Sequence, residues 1–587
     1  MPPGSDLLAV ATRVALLSTA LAIGAWAGFV LFLGYGMADG LDVMDVVRAV
    51  LIFVSTCWLA WGALQALAGL TTRPPARPRT QGPLRVRTAV LAPVYNEDPV
   101  ETFARIAAIR DSLNRTGQGG AFDIVVLSDT RDETAAAAER RQFARLLADT
   151  AAEPGGGLHY RRRAVNRGRK AGNIQDFIES SGGAYDYAVI LDADSLMEGE
   201  TLVELVRRID AAPEVGLIQT LPQVVRARTL FGRVQQFSAA LHAPVFCRGQ
   251  AMMQRRTGPF WGHNAIVRVR AFAESCGLPQ LSGRPPFGGD VLSHDYVEAA
   301  LLARAGWTVR VDDDLGGSYE EGPANMVQHA KRDRRWCQGN LQHARLLAAP
   351  GLKAWSRFVF LQGILAYLAP VFWLAFLAAS IVAPLFAPPP NYFPIEGWPQ
   401  PVFPVPETWR AIALLVCVFG LLFLPKLLIL ADAVLRGRTA GFGGARGTAA
   451  GTAAELAFSA LAAPIFMMFA TRSVLQVLAG ADGGWPAQNR SDGRLSLAEA
   501  WRATHWIVAT GAAGLLGAAL LAPQLALWLA PVLGPMLAAP WITAWSSRPA
   551  AGRLFAVPAE TAPPAILVRH ADWLRRWAEP PVRTQAA

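Results

Sequence analysis

The chain has 587 residues, too many for one ordinary hydrophobic core, so at least two structural units are expected. Apolar residues make up 52% and charged residues only 17%, with 18 Trp, a profile that argues against a wholly soluble protein and for a membrane-embedded part. The formal charge is +10, yet no helix-turn-helix, zinc-finger or RNA-binding signature occurs, and the five scattered cysteines form no Cys-x-x-Cys or Cys/His cluster, which argues against a nucleic-acid partner, a disulfide framework and a zinc site.

From Val14 to Tyr35 no charged residue occurs, and none occurs from Ala49 to Thr71. Each stretch meets the roughly 20-residue requirement of a spanning helix, so residues 1–72 are expected to form a membrane hairpin. The N-terminus carries no basic region followed by a short apolar core and a small-residue cleavage site, and the first run is expected to stay in the bilayer. A linker, residues 73–87, carries Arg73, Arg77, Arg79, Arg85 and Arg87 and no acid, whereas "GMADGLDVMD" and "PPPNYFPIEGWPQPVFPVPE" carry acids and no Lys or Arg. Basic loops stay on the cytoplasmic side, which assigns both termini and the long block 88–350 to the cytoplasm.

Within that block, "RTAVLAPVYNED" from Arg87, "FDIVVLSDTRDE" from Phe122 and "YDYAVILDADS" from Tyr185 each begin as an apolar run and end in a polar turn, with helix-like stretches between them. Such runs predict strands of a parallel sheet buried on both faces. Ligands bind these sheets at the carboxyl ends of the strands, where Asn96, Asp129, Asp192 and Asp194 fall. Two Asp at i and i+2 offer hard oxygens to Mg2+ or Mn2+ shared with a diphosphate, although an Asp-rich turn after a strand explains the pair equally well on its own. "FWGHNAIVR" adds Trp261, His263 and Asn264, an aromatic face with polar groups that suits an acceptor sugar or a structural turn. His294 and His343 are expected on helix surfaces without a metal, and Arg161 to Arg163 with Arg167 to Arg169 as a solvated basic face.

A second membrane block is expected over 351–548, with a cytoplasmic tail at 549–587. Phe358 to Ala387 is uncharged, Ala411 to Ala431 holds only Lys426 near its end, and Ala503 to Ser547 is long enough for two spans broken near Pro531 and Pro535. Cytoplasmic termini require an even number of crossings. That leaves Glu455 to Ala479 as a tight hairpin, a re-entrant segment or an interfacial one.

The ordered set of Asp129, Lys170, Asp192-x-Asp194, "SHDY" with Asp295 and "RDRRW" ending at Trp336 resembles the family 2 processive glycosyltransferases, the group of cellulose, chitin and hyaluronan synthases, over residues 84–350. The resemblance implies an α/β nucleotide-sugar-binding (GT-A-like) cytoplasmic domain inserted between α-helical transmembrane blocks. It implies Tyr95, Glu97 and Asp129 at the nucleoside, Lys170, Gly172 and Asn173 lining the nucleotide site, and Asp192 with Asp194 at the metal and the departing diphosphate. It further implies Asp295 as general base, whose plain reading is a helix N-cap, Arg335 as diphosphate clamp and Trp336 as acceptor platform beside Trp261 and His263. The family's terminal motif begins with Gln; here Arg332 stands in that position, so the Gln role does not carry over directly and Arg332 is kept as a donor-site candidate.

"RDRRWCQGNLQH", "NRGRKAGNI", "DADSLM", "FWGHNAIVR" and "LSHDYVEAALLARAGW" resemble, more narrowly, the glucan biosynthesis glucosyltransferase H family of osmoregulated periplasmic glucans. This implies UDP-glucose as donor, a β-1,2-linked glucan delivered to the periplasm, a Gram-negative inner membrane, and acyl carrier protein and a periplasmic glucan-processing partner as candidate partners. A glucan made in the cytoplasm and delivered outside must cross the bilayer, and hydroxyl-rich chains need a protein-lined path between the helices. The alternatives are a synthase of another β-glucan, cellulose-like, and a nucleotide-sensing transporter, against which an intact Asp295 argues.

Overall fold

The computed structural model of the chain describes residues 4–33, 41–72, 81–387, 392, 399–401, 408–483 and 493–578. Arg73, Arg77 and Arg79 of the linker, Arg490, and most of the segment 388–407 lie outside the described residues.

The expected N-terminal hairpin is formed by α1 (Gly4–Ala25, continued by a π-helical stretch Trp26–Phe32) and α2 (Val43–Thr71). Asp42 and Asp45 start α2 with a capping box, each side chain accepting from the other's backbone N–H. Near its end α2 crosses a helix of the α/β domain so closely that a Cβ on Gly69 would strike the Val245 carbonyl and one on Gly249 the Gln65 carbonyl, so glycine permits the crossing.

The α/β domain is built on a seven-stranded sheet of order β3-β2-β1-β4-β8-β6-β9. Its strands are β1 (Thr88–Val94), β2 (Phe122–Ser128), β3 (Leu158–Arg162), β4 (Tyr187–Ile190), β6 (Val215–Gln219), β8 (Ala265–Arg268) and β9 (Thr308–Val311). β1 and β2 are buried along their whole length, as their continuous apolar sequences require. The first four strands pair in parallel; β8 runs antiparallel to both β4 and β6, so the sheet is mixed where the sequence suggested a parallel one. A small second sheet joins β5 (Leu196–Met197), β10 (Ser318–Glu321) and β7 (Gln223–Val225) in the order β5-β10-β7.

Helices cover both faces: α3 (Pro99–Arg115), α4 (Glu133–Asp149), α5 (Arg169–Ser181), α6 (Gly199–Asp210), α7 (Leu230–Gln254), α8 (Val269–Ser275), α9 (His294–Arg304) and α10 (Met326–Gln342). Asp98, Asp132 and Asn325 cap α3, α4 and α10 by accepting a backbone N–H three residues on. Helix starts therefore fall just past the polar turns that end β1 and β2.

The second membrane block contains α11 (Ala354–Val382), α12 (Thr408–Leu435), α13 (Gly444–Leu478), α14 (Leu497–Leu521), α15 (Ala526–Leu537) and α16 (Ala539–Ser546). Among the described residues six helices are long and apolar enough to cross a bilayer, and a bent pair, Pro523–Leu537 with Ala539–Ser546 at 56°, supplies up to one more. Two expectations are corrected here. Residues 455–479 do not form a hairpin but continue one unbroken 35-residue helix, α13, and the breaks in the last apolar stretch fall at Ala522 and Ala538, with Pro531 and Pro535 inside α15. α13 touches the α/β domain at two places: a third of the way along it Glu455 accepts from Ser238 of α7 at 3.3 Å, and near its end Gln476 accepts from Arg334 of α10 at 3.2 Å. α14 and α16 likewise meet at the domain, where Leu495 donates to Ser547 at 2.9 Å and Leu230 to Arg548 at 2.9 Å. The tail folds back as α17 (Pro558–Thr561) and α18 (Ala565–Ala578), and Ile566, Trp573 and Trp577 of α18 are buried in the domain's core.

Candidate active site

The carboxyl ends of β1, β2 and β4 open on one cavity of about 2910 Å3 that continues between the membrane helices. After β4 the chain turns through Asp192, Ala193 and Asp194; Ser195 Oγ accepts the Asp192 N–H at 2.9 Å and fixes that turn. Lys170, in the first turn of α5, donates to Asp192 and to the Gly262 carbonyl, the latter at 2.7 Å. Burial would raise the Asp192 carboxyl, but the charges of Lys170 and His263 and the Lys170 hydrogen bond outweigh it and hold the pKa at about 2. The carboxylate is thus ionised and faces a cation.

Gly262, at φ 82, also backs Asp295: a Cβ built on it would lie 3.5 Å from the Asp295 Cβ. Asp295 is in the first turn of α9, whose N-cap is Ser293, so the plain reading of Asp295 as a helix cap does not hold. Burial raises its pKa, and the His294 charge and the Tyr296 N–H offset part of that. His343 is not a surface residue either; fully buried, its Nε2 donates to the Ser293 carbonyl at 3.0 Å and braces the start of α9.

Another wall of the cavity is built from α10. The Arg332 guanidinium lies 4.5 Å over the Trp336 ring, and Trp336 itself is 45% exposed to the cavity. Burial and the neighbouring Arg332 lower the Arg335 pKa, so the two guanidiniums form a cationic wall facing Asp192 that an anion would relieve. Trp261 and His263 line the same cavity, and His263 Nε2 stands 3.4 Å from Glu320.

Beyond the ends of β1 and β2, Tyr95, Glu97 and Asp129 all line the cavity. Asn96, at φ 59, sharpens the turn after β1, and the Glu97 carboxylate accepts the Tyr95 N–H. Asp129 is clamped by Arg163, whose Nε and Nη2 donate to its two oxygens at 2.8 and 3.0 Å. The same guanidinium holds the Arg167 and Arg169 carbonyls at 3.0 Å each, so it fastens the loop before Lys170 to Asp129.

Two expectations fail at this point. Asn173 does not line the cavity: it is fully buried, its Oδ1 and its carbonyl accepting from the Arg161 guanidinium of β3 at 2.7 and 2.9 Å. Arg161 to Arg163 are no solvated face, since each guanidinium is bonded within the domain and Arg163 is buried with Asp129. The sequence reading also missed Glu320. Burial raises its pKa while His263 lowers it, and Asp194 and Asp192 act on it, so it shares their site. The "SYEE" strand was its signal: alternation puts neighbouring acids on opposite faces.

Two family profiles match the sequence, "Glycosyl transferase family 2" over residues 89–275 and "Glycosyl transferase family group 2" over 187–431. The chain is similar to the glucans biosynthesis glucosyltransferase H of Cereibacter sphaeroides, at 61% identity over 98% of each chain. It belongs to the glucans biosynthesis glucosyltransferase H family. Members from Rhodopseudomonas palustris and Vibrio cholerae are 43% and 41% identical, over 95% of this chain and 79% and 78% of theirs. Among solved structures, a mannosyltransferase from Pyrobaculum calidifontis in complex with GDP-Man and Mn2+ aligns at 17% identity and a TM-score of 0.43, over 65% of this chain and 99% of that one. In this glucosyltransferase H family member the mixed sheet is a GT-A domain flanked by apolar helices, and the chain is a multi-pass membrane glycosyltransferase of glucan biosynthesis.

Proposed function

We propose that the enzyme polymerises glucose from UDP-glucose into a β-1,2-linked glucan at a cytoplasmic site of the inner membrane and passes the product outward between its own helices. The observation that carries this reading is the single cavity that holds Lys170, the Asp192/Asp194 turn and Asp295 at one end and continues past Trp336 and Tyr367 to Trp373 and Phe419 of the membrane helices. Transfer of glucose in glucan synthesis follows the relatives' names; UDP-glucose and the 1,2 linkage rest on the motif resemblance. Support for an even number of crossings comes from α13, which bonds to the α/β domain at both Glu455 and Gln476, as suits a helix lying along the membrane surface.

In this mechanism the acceptor sugar stacks on Trp336 with a hydroxyl toward Asp295. Asp295 takes the hydroxyl proton as the oxygen attacks the anomeric carbon, the bond from that carbon to the diphosphate oxygen breaks, and UDP leaves with the electron pair. One displacement inverts the configuration from α to β. Lys170, Arg332 and Arg335 face the charge that collects on the diphosphate, where preorganised cations act most strongly. Asp192 and Asp194 fit Mg2+ or Mn2+: both carboxylates line the cavity and Asp192 is ionised, a pair of hard oxygen donors that diphosphate oxygens and water would complete. Such an ion, when bound, neutralises diphosphate charge.

The test is incubation of the purified enzyme with UDP-glucose and Mg2+, with linkage analysis of the glucan, repeated in sealed vesicles with the catalytic domain outward. Glucan of 1,2 linkage protected in the lumen is expected; other linkages refute the product assignment, and glucan found only outside refutes coupled export.

A further inference from the structure

The turn that carries Asp192 and Asp194 is gripped from behind. Arg105 of α3 is 3% exposed, and its guanidinium donates at 3.3 Å to the carbonyl of Ala193, the residue between the two aspartates. The same guanidinium donates to Glu101 at 3.2 Å and to Glu321 at 3.1 Å. Glu321 follows Glu320 on β10, so Glu320 faces the cavity while Glu321 turns to Arg105. Arg226, at φ 62, donates to Glu321 at 3.0 Å and to Nδ1 of His570 at 2.9 Å. His570 is on α18 and 1% exposed; burial, then the charges of Arg105 and Arg226, push its pKa down to about 3, which keeps the ring neutral and able to accept. α18 is docked independently of this contact, with Trp573 and Trp577 buried, Trp577 donating to Asp149 at 2.8 Å and Arg569 paired with Asp111 at 3.2 Å.

We propose that Arg105 is a positioning residue for the Asp192–Ala193–Asp194 turn and that the C-terminal helix, through His570 and Arg226, holds it in place. The proposal rests on the reading of that turn as the donor diphosphate site. The Ala193 carbonyl belongs to the peptide plane that joins Ala193 to Asp194, so fixing it sets the direction in which the Asp194 side chain leaves the backbone. The network is also balanced: two guanidiniums meet two carboxylates, and the neutral imidazole adds an acceptor without adding charge. A buried guanidinium needs such compensation to be held at all.

The test compares R105M, R105K, H570A and H570Q in the full chain by hydrogen exchange of the 192–196 amides, by the kcat and KM of UDP release from UDP-glucose, and by Tm. Groups that orient metal-site ligands typically change affinity or activity by about 10–100-fold, and R105M is expected to lower kcat in that range and to speed exchange of those amides about tenfold. H570A is expected to do the same more weakly, and H570Q to restore both, since its carboxamide oxygen accepts from Arg226. R105K or H570A with wild-type exchange and kcat would overturn the proposal. So would a kcat loss that simply follows Tm, or one that H570Q fails to rescue. If R105M does not fold, the H570A and H570Q pair decides. Failure of the wild-type enzyme to release UDP from UDP-glucose would sink the donor assignment alone, because the exchange readout needs no substrate.

Discussion

Replacing Asp295 by Asn should separate donor binding from turnover. The carboxamide keeps the shape of a side chain packed against Gly262 and can still accept the Tyr296 N–H, so α9 and the cavity should be unchanged. It cannot take the acceptor proton. Loss of a general base lowers rates by about 10²–10⁴-fold, or roughly 3–5 kcal/mol of barrier. The pH profile sharpens the test. Because burial raises the Asp295 pKa, the ionised base should be lost as pH falls through a value above the ordinary 3.8, and wild-type kcat/KM should drop about tenfold per pH unit below that point and level off above it. The residual rate of D295N should lack this limb. D295E keeps a base but moves its oxygens by about 1.5 Å, and a misplacement of that size can lower the rate roughly a hundredfold. The assay is UDP release across pH, with UDP binding measured separately by calorimetry. Wild-type turnover in D295N, or lost UDP binding with the acid limb retained, would refute the base assignment.

Asp194→Ala should leave the protein folded and nearly inactive, since one lost electrostatic contact to the transition state lowers rates by about 10²–10³-fold; near-normal glucan synthesis would sink the metal assignment. Trp336→Ala should raise the acceptor requirement for elongation about tenfold while UDP-glucose hydrolysis stays close to wild type, because stacking acts on the acceptor alone; equal losses in both would place Trp336 at the donor. Arg163→Met leaves the buried Asp129 carboxylate without its bidentate partner and should destabilise the domain by about 3–5 kcal/mol and raise the KM for donor, read as Tm and initial rates; an unchanged Tm would mean that Asp129 is solvated or otherwise paired.

What the sequence disclosed was whatever repeats locally. The apolar runs of β1, β2 and β4 ended in polar turns, so Asp129, Asp192 and Asp194 fell at strand ends, and the long uncharged stretches foretold the helices of both membrane blocks. Spacing alone could not reveal pairing across the fold. Nothing in "AIVR" distinguishes an antiparallel β8 from a parallel one, because both neighbours and both faces are buried in either case. Arg163 reads as one of three basic residues until the end of β3 brings it beside Asp129, and Asn173 reads as a partner of Lys170 until Arg161 is seen to take its carboxamide. The tail carried its own signal, Ile566, His570, Trp573 and Trp577 at helical spacing, an amphipathic face hidden by the conspicuous arginines around it.

α10 ties the cavity wall that bears Trp336 to the membrane block. Successive residues on a helix point about 100° apart, so Arg332, Arg335 and Trp336 share one face toward the cavity, Asp333 lines it from the side and Arg334 turns away from it. Asp333 accepts from Tyr367 of α11 at 3.1 Å, and Arg334 reaches the end of α13 through Gln476 at 3.2 Å and the Ala481 carbonyl at 2.7 Å. One turn on, Gln338 donates to Asp482 at 2.8 Å. A cytoplasmic domain joined to its helices only by linkers could tilt against them between additions. Here the helix that bears Trp336 is bonded to both α11 and α13, and at its end Gln342 accepts the Leu292 N–H at 3.0 Å and His343 donates to the Ser293 carbonyl at 3.0 Å, so Trp336 and Asp295 of α9 are held in one unit with the membrane helices. Under the proposed mechanism, the polymer therefore advances into the membrane block past a platform whose place relative to the base is fixed.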